Sequence, residues 1–151
     1  MGLTIPEVEM SLCKQLAHPA WAALVLTNDL YSWEKERDAA KEANTPHVIN
    51  AIYVLMGEHS LSETEAQDRC RQKIKEYVAE ALRVVEKTKA DVDLSLDLRK
   101  YIGAILYSVS GNLVWSIYCP RYHPENSYDD VVQSMMAEVP QGPMGIAGVA
   151  Q

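Results

Sequence analysis

Apolar residues recur at helical spacing along most of the chain, and no stretch alternates apolar and polar residues as a half-buried strand does. The first helix is predicted to begin at a Thr4 cap, with Pro6 in its opening turn. It is predicted to end at His18-Pro19, because proline interrupts the backbone hydrogen bonds of a helix. Its apolar stripe consists of Val8, Leu12 and Leu16.

A longer second helix is predicted from about Pro19 into the early forties. Residues 21–26 are apolar on all sides, which predicts that this half of the helix is buried. Residues 34–42 are mostly charged and are expected to face solvent. The polar residues that lie between these two halves therefore begin inside a core, where polar groups need partners.

A short third helix follows a linker at residues 44–46, and it is predicted to end at Gly57. Its apolar positions are Val48, Ile49, Ile52, Tyr53 and Met56. The fourth helix opens with a capping box formed by Ser62 and Glu65. One face of it is apolar and carries Ala66, Cys70, Ile74, Tyr77, Ala81 and Val85.

The last long helix is predicted to begin at Asp93 or Ser95 and to run to Cys119, with Pro120 as its stop. From Gln141 onward the chain is rich in Gly and Pro and has no periodicity, which is typical of a flexible tail or a linker. The fold class predicted from this order is an all-α helical bundle with roughly five or six helices.

Charge and composition narrow the function. With 21 acidic and 14 basic residues the formal net charge is −7, and no Lys/Arg run is long enough to bind a nucleic acid backbone. An anionic small molecule stays possible as a ligand if divalent cations bridge it to the protein. The cysteines, Cys13, Cys70 and Cys119, show no metal or redox spacing and are predicted to be reduced core thiols. With neither a signal sequence nor a membrane span, the predicted location is cytoplasmic.

The second helix carries a candidate metal site. Asn28, Ser32 and Glu36 are spaced i, i+4 and i+8, so their side chains lie on one face at successive turns. An amide oxygen, a hydroxyl and a carboxylate are hard donors, and a trio of such low charge suits Mg²⁺, which fills its other positions with water and substrate phosphates. Lys35 can reach an oxygen of the same phosphate group.

A second polar group closes the last helix. Arg121 offers a planar guanidinium fork that is suited to phosphate, directly after the apolar run that contains Trp115. Each group also has a simpler interpretation. The first could be a solvated polar face, and the second could be a helix end at which the helix dipole favours a basic residue.

The segment Asn-Asp-Leu-Tyr-Ser-Trp-Glu-Lys-Glu at residues 28–36 resembles the metal-binding motif of class I terpene cyclases. It is most similar to that of the fungal diterpene and sesterterpene cyclases, including the two-domain cyclase/prenyltransferase enzymes. The resemblance implies magnesium-dependent ionisation of geranylgeranyl or geranylfarnesyl diphosphate, followed by carbocation cyclisation. It implies metal ligation by Asn28, Ser32 and Glu36, diphosphate contacts from Lys35, Arg121 and Tyr122, and a cation pocket that includes Trp115 and Tyr118.

The same family also has an aspartate-rich metal motif and a sensor arginine well upstream, and the 27 residues before Asn28 are too few to hold them. Residues 1–140 are therefore expected to be the carboxy-terminal half of a cyclase domain, with residues 141–151 as a tail or the start of a linker toward a prenyltransferase domain. The expected partners are the substrate diphosphate, the amino-terminal half and that second domain. The alternatives are a non-catalytic helical interaction module, a truncated product without activity, and a prenyltransferase.

Overall fold

The computed structural model describes residues 2–45, 47–123 and 133, and in these ranges the chain forms four α-helices and no strand. The all-α prediction is confirmed. A single 3-10 turn, Glu7–Glu9, precedes the first α-helix. The helices are α1 (Met10–Glu42), α2 (Ala51–His59), α3 (Glu63–Ala90) and α4 (Leu96–Tyr118). The predicted tail at residues 141–151 lies outside the described residues.

The predicted break at His18-Pro19 is wrong, because α1 runs without interruption through Pro19. A proline inside a helix leaves the carbonyl four residues earlier, that of Gln15, without its backbone donor. Pro19 is nevertheless buried, together with Ala17 and Ala20 on either side. Tertiary packing on both sides of the proline thus outweighs the local preference for a helix end.

The helix ends show which local signals hold. Ser62 and Glu65 form the predicted capping box at the start of α3. Ser95, one of the two predicted starts, caps α4 by accepting a hydrogen bond from the Leu98 amide, and α4 ends at Tyr118, one residue before the predicted end at Cys119. The predicted start of α2 is too early, because Asn50 is the cap residue of this helix. The predicted end at Gly57 is too early as well, because α2 continues to His59.

Polar contacts define how the helices run. Arg37 binds Glu63 near one end of α1, and His18 meets the ring of Tyr77 nearer the other end, so α3 is antiparallel to α1. Ser95 donates to Glu9, whereas Asn112 donates to the carbonyl of Leu24 at 3.1 Å. The helix α4 is therefore parallel to α1, and its carboxy-terminal end lies beside the polar segment of α1.

Two apolar clusters hold the bundle together. The larger one joins α1, α3 and α4 through Cys13, Ala17, Ala20, Ala81, Val85, Leu98, Ile102 and Ile105. The smaller one joins α1, α2 and α3 through Trp33, Ile52, Ala66 and Cys70. All three cysteines are buried and unpaired, which confirms the prediction of reduced core thiols. Burial raises the pKa of the Cys70 thiol to about 11, and Asp29 contributes in the same direction.

Several apolar residues that were expected in the core face outward. Val8 is 91% exposed, and Leu12 also lies at the surface. The segment 21–26 is only partly buried, because Trp21 and Val25 are about half exposed while Ala23 is fully covered. The apolar side chains on its outer face are thus not covered by other helices within the described residues. None of the described helices combines the length and the hydrophobicity that crossing a bilayer requires.

Candidate metal and anion site

The polar face of α1 comes directly after its apolar half, and it places Asn28, Ser32 and Glu36 on successive turns. Ser32 is 2% exposed, whereas Asn28 and Glu36 are half-buried. The Ser32 hydroxyl oxygen is fully enclosed and has no hydrogen-bond partner within the part of the chain that the structure describes. A buried hydroxyl without a partner is unusual in a folded protein, and it is the kind of atom that a ligand satisfies.

The two polar groups that the sequence singled out meet in space. The amide nitrogen Nδ2 of Asn28 donates to the hydroxyl oxygen Oη of Tyr122 at 2.8 Å, across a sequence separation of 94 residues. Because the nitrogen makes this bond, the Asn28 amide oxygen, the harder donor, stays available to a cation. The polar face of α1 and the turn after α4 therefore form one site.

The turn that carries Arg121 and Tyr122 is built on Cys119. Pro120 cannot continue the helix, and Cys119 already has an extended backbone. The Cys119 carbonyl then accepts the amides of Tyr122 and His123, both at 3.0 Å. Because the Cys119 side chain is buried, this turn is anchored in the protein interior.

Two cations are sequence neighbours of the site residues, since Lys35 precedes Glu36 on α1 and Arg121 precedes Tyr122 in the turn after α4. Lys35 and Arg121 are both exposed, and neither makes an ion pair with another described residue. The Arg121 guanidinium carbon lies 6.0 Å from the centre of the Tyr122 ring, at the limit of a cation–π contact. Of the two residues proposed for a cation pocket, Trp115 is 52% exposed and Tyr118 is half-buried.

A network on the other side of Glu36 was not anticipated from the sequence. Asn50 donates from Nδ2 to the Asp29 carbonyl oxygen at 2.8 Å and to Glu36 Oε2 at 3.1 Å. The Asp29 carboxylate accepts the Ala51 amide at 2.8 Å, so it faces α2. Burial raises the pKa of the Asp29 carboxyl, the Ala51 bond opposes this rise, and Glu36 adds to it.

One sequence signal could have identified Asn50. It immediately precedes an apolar helical segment, which is the preferred position of a helix cap. Its contact with Glu36 could not have been found from the sequence, because it depends on how α2 packs against α1.

The candidate ligands of the site are oxygen atoms. Within residues 2–45 and 47–123 there is no cluster of three His, Cys, Asp or Glu side chains that could bind a metal ion. A cation would instead be held by an amide, a hydroxyl and one carboxylate. The carboxylate is that of Glu36, and its Oε1 atom accepts no hydrogen bond from the described residues. Such an arrangement is suited to a metal ion that arrives bound to an anion.

Comparison with known proteins narrows the class. Residues 1–80 match terpene synthase family 2, C-terminal metal binding. The chain is 54% identical over 129 residues to fusicoccadiene synthase of Phomopsis amygdali, covering 85% of this chain and 18% of that protein. It is 46% identical over 151 residues to the bifunctional type I diterpene synthase tndC of Aspergillus flavipes, covering 99% and 20%. It is also 46% identical over 129 residues to a bifunctional sesterterpene synthase of Aspergillus aculeatus, covering 85% and 18%.

These matches define an all-α domain described as metal-binding, and they cover more than half of the chain. The chain belongs to the terpene synthase family. The resemblance to fungal diterpene and sesterterpene synthases, inferred from residues 28–36, is thereby confirmed. The chain spans about a fifth of the length of these relatives.

Proposed function

We propose that the chain supplies one metal site and the adjoining diphosphate contacts of a class I terpene cyclase. The substrate would be a linear isoprenoid diphosphate such as geranylgeranyl or geranylfarnesyl diphosphate. The hydrogen bond between Asn28 and Tyr122 is the observation that carries this proposal, because it joins the oxygen ligands to the residues suited to phosphate. Location in the cytoplasm stays a prediction from the sequence.

The residues fit a hard divalent cation. The enclosed Ser32 hydroxyl, the amide oxygen of Asn28 and Oε1 of Glu36 have no hydrogen-bond partner among the described residues, and these three oxygens would hold the cation. Mg²⁺ is the proposed ion because it prefers oxygen ligands and keeps several positions for water and phosphate. When bound, Mg²⁺ neutralises charge on the diphosphate as the allylic carbon–oxygen bond breaks.

The chain's own cations act on the same charge. Lys35 and Arg121 are exposed and make no ion pair with another described residue, and Arg121 can form two parallel hydrogen bonds to phosphate oxygens. Tyr122 is positioned by Asn28 and can offer its hydroxyl proton to the same group. Donors fixed before the reaction stabilise the leaving group without reorganising, which is the main electrostatic contribution to such catalysis.

The remaining parts of the proposal concern the rest of the enzyme. Residues 1–140 would form the carboxy-terminal half of a cyclase domain, and residues 141–151 would begin a linker toward a prenyltransferase domain. The amino-terminal half would cover the exposed Trp21 and Val25 and supply the aspartate-rich metal motif. Trp115 and Tyr118 would line the pocket in which the carbocation is folded, where an aromatic face stabilises positive charge by about 2 kcal/mol.

A chimaera tests the proposal. The segment of fusicoccadiene synthase that matches this chain is replaced by the chain itself, and the product is incubated with geranylgeranyl diphosphate and Mg²⁺. Gas chromatography should detect a cyclic hydrocarbon, as in the unaltered synthase run beside it. A chimaera that folds as the parent does and yields no hydrocarbon would contradict the proposal.

Three variants of the chimaera then test the metal trio. Glu36→Ala should lower hydrocarbon formation about 100-fold, because charge stabilisation by a metal is worth several kcal/mol. Ser32→Ala should cost less, since water can take the place of a hydroxyl ligand. Glu34→Ala is the matched control, because Glu34 is an exposed glutamate on the same helix. Equal yields from the Glu36 and Glu34 variants would remove Glu36 from the metal site.

A further inference from the structure

Asn50 uses every polar atom of its side chain. It is 3% exposed, and its Oδ1 accepts the Ile52 amide at 2.8 Å, which caps α2. Its Nδ2 donates both hydrogens to α1, one to the Asp29 carbonyl and one to Glu36 Oε2. A buried amide with all its bonds formed cannot rotate without leaving a group unpaired, so its orientation is fixed.

Glu36 needs such a restraint because of where it lies on α1. At 100° per residue, Glu36 is about 80° around the helix from Asn28 but only about 20° from Asp29, which faces α2. A long carboxylate side chain at this boundary can turn toward either neighbour, and ordering it costs rotamer freedom. Asn50 holds one oxygen and leaves Oε1 without a described partner.

We propose that Asn50 is a positioning residue for Glu36, which fixes Oε2 and thereby presents Oε1 to the metal site. The proposal rests on the function proposed above, since it takes Glu36 to be a metal ligand. Outer residues that orient a ligand in this way change metal affinity by roughly 10- to 100-fold when they are removed. Asn50 would also couple the site to α2, because the same amide caps that helix.

The test measures by NMR how Mn²⁺, added together with inorganic pyrophosphate, binds to the 151-residue chain. Mn²⁺ broadens amide signals close to it, so the concentration that halves the Ser32 and Glu36 signals reports affinity at this site. Asn50→Ser should raise that concentration about tenfold. Serine keeps an oxygen that caps α2 but has no amide donor for Glu36. If Asn50→Ser does not fold, Asn50→Thr replaces it, because threonine also caps a helix and fills more space.

Two controls separate positioning from stability and from the proposed function. Ser95→Ala removes the cap at the opposite end of α4 from Tyr122, and it should leave the Mn²⁺ response unchanged. Glu36→Ala should raise the concentration further than Asn50→Ser does. Adding Asn50→Ser to Glu36→Ala should then change nothing more, as expected if Asn50 acts through Glu36.

The outcomes are distinguishable. If Glu36→Ala responds to Mn²⁺ as the parent chain does, or if the parent shows no local broadening, both the metal site and the role of Asn50 are refuted. If Glu36→Ala loses the response while Asn50→Ser retains the parent affinity, the metal site stands and the positioning role of Asn50 is refuted. An equal loss of the Mn²⁺ response in the Ser95→Ala control would show that the effect of Asn50→Ser comes from lower overall stability. That result would also refute the positioning role of Asn50.

Discussion

Burying the Ser32 hydroxyl without a partner costs about 1–3 kcal/mol, because the group loses its bonds to water and gains none from the described residues. Few positions in a folded chain carry such a cost, and binding sites are among them. The residues around Ser32 illustrate what can be predicted at this scale. The shared face of the trio follows from helical geometry alone, whereas the Asn28–Tyr122 bond joins residues 94 positions apart and has no local signal.

Ser32→Ala should therefore stabilise the isolated chain. Removing a buried, unpaired hydroxyl while keeping the Cβ methyl should raise the free energy of unfolding by about 1 kcal/mol. Denaturant unfolding measures this change. Thr27→Val is the control, because the buried Thr27 hydroxyl already donates to the Ala23 carbonyl and its removal should give no gain. A loss of stability in Ser32→Ala would show that the hydroxyl is satisfied in solution.

Arg121→Lys should lower hydrocarbon formation by the chimaera at least tenfold although the charge is kept. A single ammonium cannot reproduce the two parallel hydrogen bonds that a guanidinium makes to phosphate oxygens. Steady-state kinetics with geranylgeranyl diphosphate measure the loss. Arg83→Lys, on the exposed side of α3, is the matched control. If both variants react at the parent rate, Arg121 has no contact with the diphosphate.

At the scale of the helices, capping residues predicted two helix starts but misplaced a third, because α1 begins at Met10 and is not capped by Thr4. Ser62 marked the start of α3, and Ser95, one of the two predicted starts, marked that of α4, because a cap satisfies backbone donors that no tertiary contact reaches. The helix end predicted at Pro19 was wrong. The proline destabilises the helix at one place, whereas the packing of α1 on both α3 and α4 stabilises it over many residues. The prediction that Trp21 and Val25 are buried was wrong for a similar reason, since the exposure of a side chain depends on which other helices are present.

Pro19→Ala should stabilise the chain by about 1 kcal/mol. A proline inside a helix is about 3 kcal/mol less favourable than alanine, so replacing it should stabilise the helix by that amount. The loss of two buried methylene groups should destabilise the core by about 1.6 kcal/mol. Thermal and denaturant unfolding of the two chains, followed by circular dichroism, measure the difference. A less stable Pro19→Ala variant would mean that the ring packs too well in the core to be replaced.

At the scale of the whole molecule, the chain combines a net charge of −7 with two exposed cations, Lys35 and Arg121, next to the site residues in the sequence. The chain also spans about a fifth of the length of its relatives. One set of oxygen ligands and two cations are few for a substrate that carries a diphosphate. The activity proposed here would therefore depend on further ligands beyond those of the described residues.

The isolated 151-residue chain should accordingly show no cyclase activity. Incubation with geranylgeranyl diphosphate and Mg²⁺, followed by gas chromatography of the extract, should give only what the control without protein gives. The active chimaera serves as the positive control under the same conditions. A cyclic hydrocarbon above background from the isolated chain would show that a single metal trio is sufficient for ionisation.

The hydrogen bond between α1 and the turn after α4 also fixes the order in which the two parts of the site form during synthesis on the ribosome. Asn28 and Tyr122 are separated by 94 residues, and synthesis at about 5–20 residues per second adds Tyr122 about 5–20 s after Asn28. During that interval α1 can form its backbone hydrogen bonds, but its polar face has no Tyr122 to receive the Asn28 amide. The nascent chain thus completes this face only as α4 emerges and docks beside α1.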